Sequence, residues 1–488
     1  MFKQKLSGWV KPALKAHHWL GIFLGALLYA ICLSGTLAVF YEEIERWEQP
    51  LAEPYEAVDP AAAERGFNRW FGAMSEPEDH LYLVFPSDAL PMMKVADSQA
   101  GYYLTESGGQ GPRAYDDFSH LITGLHINLH LPQRVGMIMV SAAGALLVGL
   151  IISGFLAHPS ILRDAFRLRV NKSYQLRQVD LHNRLSVWGS PFYLMIAVTG
   201  AYFGGALLVM SVYAQVFYGG DQEKIIEQAF GAEPQITQTV AAPEIAKAYT
   251  QLAELSPEGK PLFMILHDAG TESAFMEFFV QQPGRLIYSE NFSFDLAGNF
   301  IQRDGFSDGP AAKQVIYSVY RLHFGHFGGL WVKVLYVLLG LGLTVVSVSG
   351  INIWLAKRGR ADAMDRLWAG FVWGLPLALA LSAPVQVLLH GPGVWVFGLS
   401  LLALCVASWH QRDALTVKRR YQGALGSVLV ALLGGYVLAF GGAAFSGGVL
   451  AVNLVLLLLA LALLKTSRKP LQVDSAPATK RTALDIAT

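Results

Sequence analysis

The sequence predicts an all-α membrane protein: a four-helix core interrupted by two small α+β insertions and followed by four further transmembrane helices. Three observations carry this. Eight apolar runs are long enough to cross a bilayer as helix, which takes roughly 20 residues. Lys and Arg gather in every second gap between those runs. The two long gaps, at 41–133 and 214–326, fall on the other side and are large enough to fold.

Composition agrees. The chain is 53% hydrophobic and 15% charged, with zero formal net charge. Soluble domains are about a quarter charged, and a neutral chain gives no electrostatic reason to bind nucleic acid. Cys32 and Cys405 both sit in apolar runs and read as small buried side chains, not as a disulfide or redox pair.

The runs lie at about 18–40, 134–157, 184–213, 327–356, 367–389, 393–410, 422–441 and 446–465. The first has no small-residue cleavage site and continues into Tyr41-Glu42-Glu43, so it reads as an uncleaved anchor. Basic clusters such as Lys11/Lys15, Arg163/Arg167/Arg169/Lys172, Lys357/Arg358/Arg360 and Lys418/Arg419/Arg420 mark the cytoplasmic side. With an even number of spans, both termini are expected in the cytoplasm of a bacterium, with the chain in its inner membrane. The expected division is 1–40 for the first span, 41–133 for the first outer insertion, 134–213 for the second and third spans, and 214–326 for the second insertion. The fourth span takes 327–360, the last four take 361–465, and 466–488 is a cytoplasmic tail.

Within the insertions, Leu81–Phe85, the stretch near Tyr102-Tyr103-Leu104, Phe263–Leu266 and Ala274–Val280 read as strands. Residues 242–255 read as a helix, and Phe292–Ile301 as a hairpin turning at Gly298. Two separate small domains are expected. Tyr102, Tyr103, Tyr115, Phe118, Phe292 and Phe294 read as their cores, with a chelate pocket as the alternative.

The thirteen histidines are unevenly placed. His17, His18, His158 and His182 lie at cytoplasmic span ends. His120, His126, His130, His323 and His326 lie at outer ends. Imidazole near lipid is costly unless paired or liganded. Zinc asks for a compact tetrahedral set, whereas haem iron asks only for an axial ligand on each side, one from each of two facing helices. No CxxCH is present, so a b-type rather than a c-type haem is the expectation. Members of a pair must sit at one depth on different helices, which gives His17 with His182 inside and His126 with His323 outside. His18, His130 and His326 are alternates within their doublets. The i, i+4 glycines Gly21/Gly25, Gly200/Gly204 and Gly325/Gly329 allow either close helix contact or room for a flat porphyrin.

His17-His18-Trp19-Leu20-Gly21, Ser34-Gly35-Thr36, Leu125-His126, Ser153-Gly154, Asp180-Leu181-His182-Asn183-Arg184, Thr199-Gly200, Leu322-His323-Phe324-Gly325 and Ser349-Gly350 occur in order over about residues 10–360. In this order the chain resembles the PepSY-associated transmembrane helix family, which includes iron-regulated inner-membrane proteins and ferric-siderophore reductases of the FoxB type. The resemblance implies PepSY-like periplasmic domains and a haem-containing electron-transfer module, with His17, His126, His182 and His323 at the family's histidine positions. It further implies two b haems passing electrons to a periplasmic ferric siderophore or other Fe(III) chelate. No Gly-rich dinucleotide fingerprint follows a strand, so the expected donor is a membrane quinol or a separate reductase. The competing readings are a quinone-linked cytochrome b with another acceptor, an iron or chelate transporter, and a non-enzymatic PepSY sensor. The resemblance leaves residues 362–465 without a role.

Overall fold

A computed structural model describes residues 2–166, 169, 173–222, 224–225 and 231–468. The expected tail from 469 onward, Arg167 and Lys172 lie outside the described residues.

Four long helices form the first membrane unit: α1 (Phe2–Ala38), α5 (Gln133–Ala157), α7 (Tyr174–Phe217) and α10 (Gly329–Lys357). They pack in a closed ring, α1 on α5, α5 on α7, α7 on α10 and α10 on α1. Leu24, Leu28, Ala143, Leu147, Tyr193, Ala197 and Leu343 fill its centre. At 44 residues α7 is about 66 Å long, so it projects well past a hydrocarbon core of about 30 Å. Pro191 lies inside α7 without ending it.

The second unit is α11 (Ala363–Val387), α12 (Gly393–Trp409), α13 (Ala414–Phe440) and α14 (Gly447–Ser467). Asp362 caps α11 in a reciprocal capping box with Asp365, which fixes where the helix starts. Among the described residues seven helices are long and apolar enough to cross a membrane, against the eight expected. The shortfall is α12, whose 17 residues reach about 26 Å. The chain is a multi-pass membrane protein.

The insertions depart from expectation. Two separate domains were expected, and the structure has one. The first contributes α3 (Pro60–Gly72), β1 (His80–Val84), β2 (Lys94–Ala96), β3 (Gly101–Leu104) and β4 (Gln110–Arg113). The second contributes α8 (Ile245–Leu255), β5 (Lys260–His267), β6 (Phe275–Gln281), β7 (Glu290–Phe294) and β8 (Phe300–Asp304). All eight strands form a single sheet in the order β4-β3-β2-β1-β5-β6-β7-β8. The antiparallel seam runs from His80↔His267 to Val84↔Phe263. Alone, each half would leave β1 or β5 as an open edge with unpaired backbone groups. Joined, they share one core, in which Phe67 and Trp70 of α3 and Ile245 and Leu252 of α8 pack on Leu81, Leu83, Met264, Phe278, Phe292 and Phe294. The hairpin at Gly298 forms as expected, with that glycine at φ +73°.

Short helices link sheet to membrane unit: α2 (Tyr41–Glu48) after α1, α4 (Asp117–Ile127) before α5, and α9 (Ala311–Phe324) before α10, while the one-turn α6 (Ile161–Asp164) lies between α5 and α7. The order long helix, four strands, short helix, long helix therefore occurs twice, over residues 2–157 and again over 174–357. The sheet order mirrors itself about the β1–β5 seam.

Candidate functional site: two histidine pairs

The repeat extends to single residues. His17 on α1 lies seventeen residues before Ser34-Gly35, and His182 on α7 lies seventeen before Thr199-Gly200. His126 on α4 precedes Ser153-Gly154 of α5, as His323 on α9 precedes Ser349-Gly350 of α10. Each Ser/Thr-Gly pair receives one imidazole from a neighbouring helix.

On the side away from the sheet, His17 Nδ1 is 3.0 Å from the Leu150 carbonyl and 3.3 Å from Ser153 Oγ. His182 Nδ1 is 3.1 Å from both the Val346 carbonyl and Ser349 Oγ. Toward the sheet, His126 Nδ1 is 2.9 Å from the Ile31 carbonyl. His323 Nδ1 is 2.8 Å from Thr199 Oγ1. A carbonyl only accepts, so Nδ1 carries the proton in the first three. Thr199 Oγ1 donates its own hydrogen to the Met195 carbonyl at 2.7 Å, so it too accepts from Nδ1. With Nδ1 protonated, a neutral imidazole presents its lone pair at Nε2. No hydrogen bond reaches any of these four Nε2 atoms among the described residues.

The glycines make room. A Cβ on Gly35 would lie 2.5 Å from the His126 ring, on Gly200 3.1 Å from His323, on Gly154 3.2 Å from His17 and on Gly350 3.4 Å from His182. Two of the six i, i+4 glycines serve close helix contact and a third caps a helix. Gly25 abuts Ile351, Gly204 abuts the Met137 backbone, and Gly325 caps α9 in the left-handed conformation against Tyr336. Only Gly200 among them faces a histidine of the pairs.

His17 and His182 have ring centroids 6.3 Å apart, crossed at 78°. His126 and His323 are 6.0 Å apart, inclined at 27°. A metal–imidazole bond is about 2 Å, and the ring centre lies about 1.1 Å behind the nitrogen for C–N bonds of about 1.33 Å. Two imidazoles on opposite sides of one iron therefore have centroids about 6 Å apart. Both pairs have that spacing, and each draws one histidine from each half of the repeat. Among the described residues no group of three or more His, Cys, Asp or Glu is placed to hold a bare metal ion. Two axial donors with nothing equatorial suit an iron already held in a macrocycle.

A cavity of about 310 Å³ adjoins the sheet-side pair, lined by Gly35, His126, Phe203, Tyr320, His323 and Tyr336 among mostly apolar neighbours. A more open, polar depression of about 410 Å³ lies on the sheet around Glu78, His80 and Ser98, and shares no residue with it.

The alternates of each doublet are placed elsewhere. His18 is exposed and meets Trp19. His130 does not follow His126 by a helical turn, because α4 ends at Ile127 and His130 has φ +55°. Its ring turns back, with Nε2 2.9 Å from the Leu121 carbonyl. His326 follows the Gly325 cap and packs on Tyr41 at 5.7 Å. Of the six aromatics, Tyr103, Phe292 and Phe294 are core and Tyr115 stacks on His390 at 3.9 Å, so they line no common pocket.

Two features escaped the sequence reading. Lys333 is buried and bridges Glu42 at 3.1 Å and Glu43 at 2.9 Å, tying α10 to α2. A file of rings also leads from His323 to the sheet. Phe324 is 5.6 Å from His323, Tyr320 is 4.4 Å from Phe324, Tyr288 is 4.6 Å from Tyr320, and Phe263 of β5 is 6.4 Å from Tyr288. The ion pairs join α10 to α2, and the file, local within α9 from Tyr320 to Phe324, leaves that helix only through Tyr288 and Phe263, so the sequence alone does not show where either leads.

The chain is 28% identical over 279 residues to the uncharacterized protein PA4219 of Pseudomonas aeruginosa, an alignment covering 53% of this chain and 70% of that one. The profile of the PepSY-associated TM region matches residues 14–357, the stretch that holds both histidine pairs and the whole sheet. On that match the chain belongs to the PepSY-associated TM region family.

Proposed function

We propose that this protein is a b-type dihaem electron-transfer protein of the bacterial inner membrane that reduces a ferric siderophore or similar Fe(III) chelate on its sheet side. The observation that carries the reading is the pair geometry: two histidine couples, each with ring centroids about 6 Å apart and each with Nδ1 hydrogen-bonded to the helices so that Nε2 keeps its lone pair. A bound haem supplies a one-electron carrier. The chain's own residues fix the ligand tautomer, orient the rings and exclude water with the apolar walls of the ring of helices. Seventeen helical residues separate the two levels, about 26 Å along the axis, which is most of a bilayer core.

At the acceptor, Fe(III) takes one electron and becomes Fe(II), which hard oxygen donors hold less tightly. The Phe324–Tyr320–Tyr288 file offers an exit from the sheet-side pair toward a chelate too large to enter the bundle. The donor is a quinol or a separate reductase. The basic clusters support an arrangement with both termini cytoplasmic and the sheet periplasmic.

The test is the reduced-minus-oxidised spectrum of the purified protein. A b-type α band supports the reading, and a preparation that stays without one after haem is supplied rejects it in favour of a non-redox PepSY module. Anaerobic mixing of the reduced protein with ferric chelates tests the acceptor. If the haem reoxidises with none of them, the reductase assignment falls and a cytochrome b with another acceptor stands.

A further inference from the structure

We propose that the four C-terminal helices are a brace for α4, the helix that carries His126, and that they set the sheet-side pair from one side only. The proposal rests on the reading of His126 as a ligand, and it explains a region beyond the family match.

α4 is gripped along its length. Leu121 and Leu125 lie one turn apart and pack into a cluster with Leu375, Leu379 and Phe397 of α11 and α12. Gln386 of α11 donates from Nε2 to the Asp117 carbonyl at 2.9 Å. At the N-terminus, Glu48 of α2 accepts from the backbone N–H groups of Phe118 at 2.6 Å and Ser119 at 2.9 Å. α2 is itself clamped by α13 and α14. Trp47 stacks on Tyr436 at 4.9 Å and 4°, its Nε1 donates to Asn453 at 2.8 Å, and the Tyr436 hydroxyl donates to the Trp47 carbonyl at 2.6 Å. His126 follows Leu125 directly, so the braced face and the imidazole that meets Ile31 are adjacent on one helix.

The counterpart α9 has no such grip from α11–α14 among the described residues. No α9 residue belongs to the clusters containing α11–α14, and Val315 and Ile316 are 66% and 46% exposed. Apart from the His126–His323 ring pair, the contacts that hold it run within its own half, through Thr199 to His323, the Leu322 carbonyl to Tyr336 Oη, and Arg321 to the Arg285 and Ile287 carbonyls. Among the described residues, α11–α14 therefore brace the duplicated unit on the His126 side and not on the His323 side.

The experiment compares amide hydrogen exchange of residues 117–127 and 311–324 in the full-length protein and in Gln386→Ala and Tyr436→Phe. Each substitution removes one hydrogen bond, and Tyr436→Phe keeps the ring stack so that the fold survives. We expect exchange in 117–127 to rise about tenfold, the effect of losing one such bond at ~1.4 kcal/mol per decade, with 311–324 unchanged. Unchanged exchange in 117–127 for both variants overturns the proposal, and so does equal acceleration of both helices. Because exchange needs no cofactor, it stands or falls apart from the haem assignment. In haem-loaded protein the spectroscopic signature removed by His126→Ala should shift in both variants while the other stays. Equal shifts in both signatures count against the brace.

Discussion

His126 and Gly35 meet so closely that a single methyl on the glycine would lie 2.5 Å from the imidazole, the tightest of the four histidine–glycine contacts. The ring is therefore seated against α1 backbone with no slack, and the four contacts rank from 2.5 Å to 3.4 Å.

This ranking gives the first prediction. Gly35→Ala forces the His126 ring to move and should cost about 1–3 kcal/mol of stability, as overpacking generally does, and should empty the sheet-side pair. Gly350→Ala adds a methyl at ordinary contact distance, 3.4 Å from His182, and should be tolerated. Haem content per protein measures both, and equal loss in the two variants contradicts the seating.

Thr199→Val keeps shape and removes the acceptor for His323 Nδ1–H. The ring then loses its fixed tautomer, and cofactor affinity should fall by about 10–100-fold, the usual effect of removing such a supporting group. Thr199→Ser restores the hydroxyl and should restore affinity. A valine variant with wild-type affinity would leave Thr199 without a positioning role.

Tyr320 touches both Phe324 and Tyr288. Tyr320→Leu should slow reoxidation of the reduced protein by bulky ferric chelates, while Tyr320→Phe should react near the wild-type rate. Stopped-flow traces at the α band decide, and a leucine variant as fast as wild type removes the file from the route.

Burial pushes the Glu48 carboxyl up to about 8 against the two backbone N–H groups that favour its charged form. A carboxyl whose folded value is raised contributes its stability fully below its ordinary value near 4.5 and loses it as pH climbs through about 8. Thermal stability should therefore decline between about pH 5 and 8 and level off above, and Glu48→Gln should flatten that slope. An unchanged slope in the variant would assign the decline to other groups.

Much of this was legible in the sequence, for physical reasons. Span positions follow from bilayer thickness, and seven of eight met the length needed. Depth gave an inner and an outer couple with His18, His130 and His326 open as alternates, the resemblance pointed to His17, His182, His126 and His323, and among the described residues the structure brings those two couples together. His130 read as a substitute only because a helix was assumed to continue past Ile127. The single sheet was hidden because β1 pairs with β5 across two membrane spans, and strand pairing at that separation leaves no local trace. The role of Ser153-Gly154 and its three equivalents was visible as spelling but unread, since nothing in one helix shows which imidazole it will receive.

The mirrored halves carry a last consequence. Each histidine pair takes one member from residues 2–157 and one from 174–357. Neither half encloses a complete site, yet two copies of either would reproduce both. The first membrane unit thus has the two-fold arrangement of a symmetric pair carried on one chain, with the β1–β5 ladder joining the two halves of the sheet. Carrying both halves on one chain allows what two identical copies would forbid: a single appended unit, residues 363–467, that meets the two sides differently.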